Sequence, residues 1–211
     1  MPESPEITSL CKRLKILGLE VETVGKHLLY KNSRNECFDI SFGLVGKIKL
    51  INTVEGYDIE KITTSSLSGD IRQVPDFQSV IENLGVDWLS SDKASLLKVV
   101  ETWSTRPKKI ASLLIDQHEI AGIGVAWGSE ILANALIHPA SLATEINPEA
   151  LVDSMISIRE TVMKLYDNYD EEPERFIDRW FINLYFIRRM KSYKKGTVVM
   201  VSGRKFYTLI C

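Results

Sequence analysis

Apolar residues recur at helical spacing near the start of the chain and alternate with polar residues soon afterwards. The helical spacing covers residues 3–17 and predicts a short amphipathic helix closed by Gly18. Its apolar positions are Ile7, Leu10, Leu14 and Leu17. From residue 21 to about residue 62 the period approaches two, which is typical of strands. The clearest predicted strands are residues 27–30, 37–42 and 47–50.

Helical spacing returns in the second half of the chain. It follows a polar, turn-rich stretch that we interpret as a domain linker between about residues 63 and 88. Asn147 and Pro148 read as a helix cap followed by proline at the first helical position. A final change of period predicts a β-hairpin with its turn at Ser202 and Gly203. Helices are predicted over residues 92–103, 108–118, 127–136, 148–167 and 173–187.

These patterns together predict an α+β protein. A short N-terminal helix and a small β-sandwich domain come first, followed by a helical domain and a C-terminal β-hairpin. We place the three domains at residues 1–75, 76–190 and 191–211.

Composition narrows the class of protein. With 211 residues, 45% of them hydrophobic, the chain can bury a substantial core. No apolar run approaches the roughly 20 residues of a membrane span, and the charged first residues are unlike a signal peptide, so we expect an intracellular protein without membrane contact. Three distant cysteines, Cys11, Cys37 and Cys211, indicate neither disulfides nor a zinc site.

Charge alone argues mildly against a nucleic-acid partner. The formal net charge is -2 and the pI is near 6.0, whereas generic nucleic-acid binders are usually basic. However, basic residues gather late in the chain, at residues 188–191 and 194–195. The distribution of charge therefore matters more than the total.

The first residues carry a candidate nucleophile. Removal of Met1 would leave the imino group of Pro2 beside the carboxylate of Glu3. A terminal amine titrates near 8, so roughly a tenth is unprotonated at pH 7 and can attack a sugar carbon. Glu3, if held in an apolar pocket, could donate a proton to the departing oxygen. A frayed terminus is the alternative, and these residues alone favour it.

A helix, a tight turn and a second helix are predicted over residues 113–139. Gly122 and Gly124 permit a sharp turn, and the second helix offers N–H groups and its positive dipole end to an anion. This device suits a phosphate group. A helical hairpin that merely packs remains an equal alternative on these residues alone.

This segment closely resembles the helix–two-turn–helix of the formamidopyrimidine-DNA glycosylase and endonuclease VIII family. Three further segments match the same family in the right order: the opening Met-Pro-Glu-x-Pro-Glu, the lysine-bearing residues 25–29, and residues 41–46 against its His-Leu-Gly-Met-Ser-Gly. The matching positions of the helix–two-turn–helix are Asp116, Gln117, Gly122, Gly124, Glu130, Leu132 and Ile137 to Pro139.

The resemblance assigns roles near the N-terminus. Pro2 would attack C1′ of a damaged nucleotide and form a Schiff base, and Glu3 would protonate the opening sugar. Glu6 would be a lesser partner. Lys26 would contact phosphate and assist the chemistry, against the alternative of one exposed strand lysine. Leu44 would be a wedge in the vacated base stack, or else a core leucine.

The resemblance also assigns DNA contacts to the second half of the chain. Gly122 and Gly124 would shape the phosphate-binding turn. Arg204, with Lys205 beside it, would correspond to the finger arginine that grips phosphates flanking the lesion, where a guanidinium fork suits a phosphate pair. A solvated hairpin arginine is the alternative reading.

The chain departs from the family at three places. The four zinc-binding cysteines of the finger are absent, so we expect a zincless finger and no bound metal. Val125 stands where the family has a phosphate-contacting asparagine. No Asp-Pro-Arg-Arg-Phe stretch is present to supply the other two wedge residues.

The implied function is a bifunctional DNA glycosylase and AP lyase of base excision repair that cuts the strand by β,δ-elimination. Its partner would be damaged or abasic DNA, with single-stranded or bubble DNA favoured because extruding a base costs a few kcal/mol. We expect a monomer without a cofactor in the cytoplasm, nucleoid or nucleus. A non-catalytic nucleic-acid-binding descendant is the main alternative, and a helical interaction module unrelated to DNA is another.

Overall fold

The structure is a computed structural model that describes residues 3–42, 47–54, 56–62, 69–167, 192 and 194–210. The chain forms two compact units. In the part described, the first unit comprises residues up to 83 together with Tyr166 and Asp167, and the second comprises residues 84–165 and those from 192 onward. Among the described residues, no helix is both long and apolar enough to cross a bilayer.

The first unit begins with a helix and continues with six strands. Its elements are α1 Ser4–Ile16, β1 Glu20–Val24, β2 His27–Lys31, β3 Cys37–Phe42, β4 Lys47–Thr53, β5 Gly56–Ile62, β6 Gly69–Val74 and the short helix α2 Gln78–Ile81. Strands β1, β2, β3 and β6 form an antiparallel sheet in that order. Strands β4 and β5 form a separate antiparallel pair.

Helix α1 confirms the first sequence prediction. Proline lies in its first turn, and its last turn carries Arg13 and Lys15, which favour the negative end of the helix dipole. Its apolar stripe is buried against the strands and forms one core with them. The core residues are Ile7, Leu10, Cys11, Leu14, Leu19, Val21, Leu28, Tyr30, Ile40, Phe42, Ile48 and Ile59.

The predicted linker over residues 63–88 contains the boundary between the two units, after Asn83, but its described part also contains strands. Residues 69–74 form β6, which pairs along the whole length of β3, and Val86–Asp87 form a further short strand. Strand β6 was not predicted because it lies at the edge of the sheet and most of its side chains are exposed. Its sequence therefore lacks the alternation of apolar and polar residues that marks a half-buried strand.

The second unit is mainly helical. Its elements are β7 Val86–Asp87, α3 Lys93–Trp103, α4 Ile110–Leu114, β8 Ile120–Ala121, α5 Val125–Asn134, a 3₁₀ turn Ala143–Glu145, α6 Pro148–Asp167, β9 Thr197–Val201 and β10 Arg204–Thr208. Strands β7 and β8 pair in parallel, and β9 and β10 form an antiparallel hairpin. Asn147 caps α6 through its side-chain oxygen, as predicted.

One predicted helix is much shorter than expected, and another lies outside the described residues. The pattern over residues 108–118 predicted a helix, but α4 spans only Ile110–Leu114. The side chains of Asp116 and Gln117 bond to nearby backbone groups and compete with the helical pattern. The helix predicted over residues 173–187 lies outside the described part of the chain.

Candidate active site

Two acidic residues meet at the start of α1. Glu3 occupies the N-cap position and is only 4% exposed. Its backbone N–H donates to Glu6 Oε2 at 3.1 Å, because residues at the N-cap and N3 positions face each other across the first turn. The structure therefore holds two carboxyl groups close together, immediately after the residue that the sequence suggests as the nucleophile.

Glu6 also contacts a residue that lies 160 positions later in the chain. The hydroxyl of Tyr166, on α6, donates to Glu6 Oε1 at 2.8 Å. Burial, followed by the negative charge of Glu3, raises the pKa of Glu6 to about 7. Burial and the neighbouring Glu6 raise the pKa of Tyr166 as well. Glu6 can therefore both hold and release a proton at neutral pH.

Ser4 adds an unsatisfied hydroxyl to this region. It is 1% exposed, and within the described residues its Oγ has no hydrogen-bond partner. A buried hydroxyl without a partner is costly and is usually satisfied by a ligand or a water molecule. Ser4 therefore supplies a polar group next to Glu3 for such a contact.

Lys26 lies in a turn, which corrects its predicted position on a strand. Strands β1 and β2 pair from Val24 opposite His27, so Gly25 and Lys26 form the two-residue connection between them. Lys26 is half-buried. The turn therefore places Lys26 at one end of the sheet, between two paired strands.

Three polar side chains, on β2, β3 and β6, form a hydrogen-bonded cluster beside the Lys26 turn. Asp39 on β3 is 2% exposed and accepts from His27 Nδ1 at 2.8 Å. Its other oxygen lies 2.9 Å from both Nε and Nη2 of Arg72 on β6. Burial opposes ionisation, but the hydrogen bonds and charges of His27 and Arg72 hold the pKa of Asp39 below its ordinary value.

This cluster fixes the base of the Lys26 turn. His27 directly follows Lys26, so its bond to Asp39 ties the turn to the middle of the sheet. With Ser41 and Asp70, the three residues line an open cleft on the face of the sheet opposite the core. No local sequence pattern indicates this cluster, because its members come from three separate strands.

The turn between α4 and α5 is held by one amide side chain. Gln117 Nε2 donates to the carbonyl oxygens of Ile115 at 2.8 Å and Ile123 at 2.9 Å. Its Oε1 accepts from Gly122 N–H at 2.9 Å. Gly122 has a φ of 100°, which only glycine adopts readily. The predicted sharp turn is confirmed, and Gln117 is the residue that organises it.

Helix α5 begins directly after this turn. Gly124 is its N-cap and Val125 its first residue, two positions earlier than predicted. Because the N-cap residue is a glycine, it supplies no side-chain hydrogen bond to this end. The N-terminus of a ten-residue helix carries partial positive charge and suits an anion. Valine cannot add a side-chain hydrogen bond there.

The C-terminal hairpin folds against α4 and α5 through packing and hydrogen bonds. Its turn residues Ser202 and Gly203 have φ values of 49° and 75°, as a tight two-residue hairpin turn requires. Phe206 is fully buried and lies near Gly128, where an added Cβ would be 3.4 Å from the ring. Tyr207 N–H donates to Ser129 Oγ, and Ser202 Oγ lies 2.8 Å from Ser112 Oγ.

Glu130 anchors the chain that leads into the hairpin. Its buried carboxylate accepts from both the N–H and the hydroxyl of Ser192 at 2.6 Å. The family-matching glutamate is thus a structural residue here. Within the described ranges, no group of three or more His, Cys, Asp or Glu side chains could hold a metal ion.

The exposed side of the hairpin region is basic. Four cations are exposed over residues 194–210, and this stretch contains no acidic residue. They are Lys194, Lys195, Arg204 and Lys205. Such a concentration within a chain of net charge -2 suits a polyanion.

The structure groups the candidate residues in two places. Glu3, Glu6 and Lys26 belong to the first unit, while Gly122, Gly124, Arg204 and Lys205 belong to the second. Pro2 and Leu44 lie outside the described residues, as do basic residues 188–191. Sequence reasoning missed Tyr166, His27, Asp39 and Arg72, for which only proximity in the fold gives a signal.

Comparisons with known sequences identify relatives of one kind. No protein-family model matches the chain. The formamidopyrimidine-DNA glycosylase of Rickettsia felis is 28% identical over 148 residues, 64% of this chain and 52% of that protein. That of Rickettsia canadensis is 29% identical over 143 residues, 61% and 51% of the two chains. The chain thus spans about half the length of these curated relatives.

Solved structures share the fold. MutM in complex with DNA containing carbocyclic 8-oxo-G superposes with a TM-score of 0.75 at 15% identity, covering 99% of this chain and 98% of that one. The Lactococcus lactis Fpg in complex with abasic-site DNA gives 0.74 at 14% identity, covering 98% and 97%. The α+β fold class is therefore confirmed. This chain is therefore similar in sequence to formamidopyrimidine-DNA glycosylases over more than half of its length, and it shares the fold of the solved MutM and Fpg structures.

Proposed function

We propose that this protein is a bifunctional DNA glycosylase and AP lyase of base excision repair. The observation that carries the proposal is the pair of carboxyl groups at the start of α1, on buried Glu3 and half-buried Glu6, directly after Pro2. Relatives named formamidopyrimidine-DNA glycosylase, and structural neighbours bound to lesion-containing or abasic DNA, support the same reaction.

The chemistry begins at the terminal nitrogen. Pro2, freed by removal of Met1, attacks C1′ of the damaged nucleotide, the N-glycosidic bond breaks, and the base leaves with the proton that the Pro2 nitrogen gives up. Glu3 protonates the ring oxygen as the sugar opens, which leaves an iminium ion between Pro2 and C1′. Loss of a proton from C2′ then breaks the C3′–O bond, and a second elimination breaks the C5′–O bond.

DNA contacts would come from both units. Lys26 at its hairpin tip would contact a phosphate beside the reacting nucleotide. The turn at Gly122 and Gly124, with Arg204 and Lys205 on the hairpin, would bind phosphates flanking the lesion. Valine at residue 125 lacks a hydrogen-bonding side chain, so we propose modest affinity. Because two of the three wedge residues are absent, we also propose a preference for abasic, bubble or single-stranded DNA, in which extruding a base costs less.

Borohydride trapping on abasic DNA tests the proposal. A covalent protein–DNA adduct is expected from the processed protein, because borohydride reduces the iminium to a stable amine. The matched control retains Met1 or carries an N-terminal tag, which blocks the Pro2 nitrogen and should abolish the adduct. Equal trapping by the blocked protein would exclude Pro2 as the nucleophile.

A single substitution separates the two activities. Glu3→Gln should abolish base excision and spare much of the cleavage at preformed abasic sites, because only the first step needs this acid. Equal loss of both activities would contradict the division of roles. A protein that binds abasic duplex but never forms an adduct would be the non-catalytic descendant, and one that does not bind DNA would be a helical interaction module.

A further inference from the structure

We propose that Tyr166 is a positioning residue that fixes the carboxyl group of Glu6 and governs when Glu6 carries its proton. The inference rests on the proposed function for its catalytic consequence, but its physical content concerns two side chains and can be measured without DNA. Tyr166 lies on α6, and 160 residues separate it from Glu6 in the chain.

The geometry holds Glu6 at both oxygens. The Tyr166 hydroxyl donates to Oε1 at 2.8 Å, and the Glu3 N–H donates to Oε2 at 3.1 Å. Two donors on opposite oxygens fix the plane of the carboxyl group and restrict its rotation. Because Glu3 contributes a backbone group, only Tyr166 can be changed by substitution without altering the main chain of α1.

The burial of Tyr166 strengthens its hydrogen bond to Glu6. Tyr166 is only 3% exposed, and the hydroxyl of a buried tyrosine is nearly always hydrogen-bonded. A charge-assisted bond from a phenol to a carboxylate is stronger than one between neutral groups. The hydrogen bond from Tyr166 therefore stabilises the ionised form of Glu6 relative to the protonated form.

Burial and the charge of Glu3 oppose the effect of Tyr166 on the pKa of Glu6. Burial and the charge of Glu3 raise its pKa, while the hydroxyl of Tyr166 and the backbone N–H groups lower it. Among the described residues, the titratable groups that act on Glu6 are Glu3, at the N-cap of its own helix, and Tyr166 from α6. Removing the hydroxyl takes away one stabiliser of the charged form, so Glu6 should hold its proton to higher pH.

Because of where Glu6 lies, a change in its titration should also change the reaction. Glu6 lies one helical turn from Glu3, which directly follows the proposed nucleophile in the sequence. Whether the reaction uses Glu6 with or without its proton, the limb of the pH profile that Glu6 controls must follow its titration. The same hydroxyl therefore sets the pH range in which the enzyme works.

The experiment compares Tyr166→Phe with wild type in two measurements. Carbon-13 NMR of labelled glutamate side chains, assigned with Glu6→Gln, gives the titration midpoint of Glu6 in the free protein. The pH profile of adduct formation on abasic DNA gives the kinetic midpoint. Loss of one hydrogen bond to the carboxylate should raise both midpoints by about 0.5 to 1 pH unit.

Tyr30→Phe is the matched control. Tyr30 is equally buried in the first unit and stacks on Phe38, with 6.3 Å between ring centroids, so it tests the general effect of losing a buried phenol hydroxyl. It should leave the Glu6 midpoint and the pH profile unchanged. An unchanged Glu6 midpoint in Tyr166→Phe, or an equal shift in Tyr30→Phe, would overturn the inference.

Two outcomes separate the inference from the proposed function. If wild type forms no adduct but the NMR midpoint moves in Tyr166→Phe, the pairing stands and the lyase proposal fails. If Tyr166→Phe does not fold, Glu6→Gln decides: it should remove one limb of the pH profile, and persistence of both limbs would show that the Glu6 proton does not govern the reaction.

Discussion

The turn before α5 should depend on the side chain of Gln117, and Gln117→Glu tests this with a change of almost no volume. Glutamate keeps one acceptor for the Gly122 N–H but cannot donate to the carbonyls of Ile115 and Ile123 when ionised. It also places a negative charge between two carbonyl oxygens. Both effects destabilise the turn.

The magnitude follows from the three hydrogen bonds of Gln117. Each contributes roughly 0.5–1.5 kcal/mol, and two are lost outright while their carbonyls remain partly buried. We expect the free energy of unfolding of the second unit to fall by about 2–4 kcal/mol. For a protein of this size, that corresponds to a decrease in Tm of about 5–15 °C.

Tryptophan fluorescence during urea unfolding measures the change in the second unit, since Trp88, Trp103 and Trp127 are buried there. The matched control is Gln73→Glu, on the exposed edge strand β6, which should stay within about 0.5 kcal/mol of wild type. If Gln117→Glu is as stable as this control, the amide does not hold the turn and the reasoning is refuted.

Four further predictions concern charge and metal. Asp39→Asn should lower the free energy of unfolding by about 1–3 kcal/mol near pH 7. Because the pKa of Asp39 is lowered in the folded state, its contribution to stability is present above its unfolded pKa and is lost as pH falls. The urea midpoints of variant and wild type should therefore converge in acid. Because the pKa of Glu6 is raised to about 7 in the folded state, the stability of the wild type should fall as pH rises from about 4.5 toward 7. Glu6→Gln should reduce that decline by up to about 3 kcal/mol. Equal slopes in the two proteins would show that Glu6 does not keep its proton in the folded state. In fluorescence titrations of abasic duplex at several salt concentrations, Val125→Asn should strengthen binding by about 1 kcal/mol and Arg204→Ala should weaken it, whereas Arg34→Ala, an exposed arginine of the first unit, should not. Elemental analysis should find no zinc, and a chelator should leave the unfolding curve unchanged; about one zinc per chain, lost together with folding, would overturn this.

Local patterns in the sequence were enough to predict several elements. The spacing of apolar residues in α1 and the turn pair at Ser202 and Gly203 act over a few residues, so the chain near them decides the structure. The same holds for the cap at Asn147 and the glycine at residue 122. Helical periodicity, positive φ and side-chain capping are properties of neighbouring residues, which one sequence displays.

Tertiary structure decided what depends on residues far apart in the chain. Strand β6 has no clear pattern of its own, and it is a strand because β3 needs a partner for its hydrogen bonds. Asp39 is charged and buried only because His27 and Arg72 reach it from neighbouring strands. The hydroxyl that holds Glu6 comes from α6. Hydrogen bonds and ion pairs between distant residues exist only after the chain has folded, so their partners, and the proton affinities they set, come from the structure.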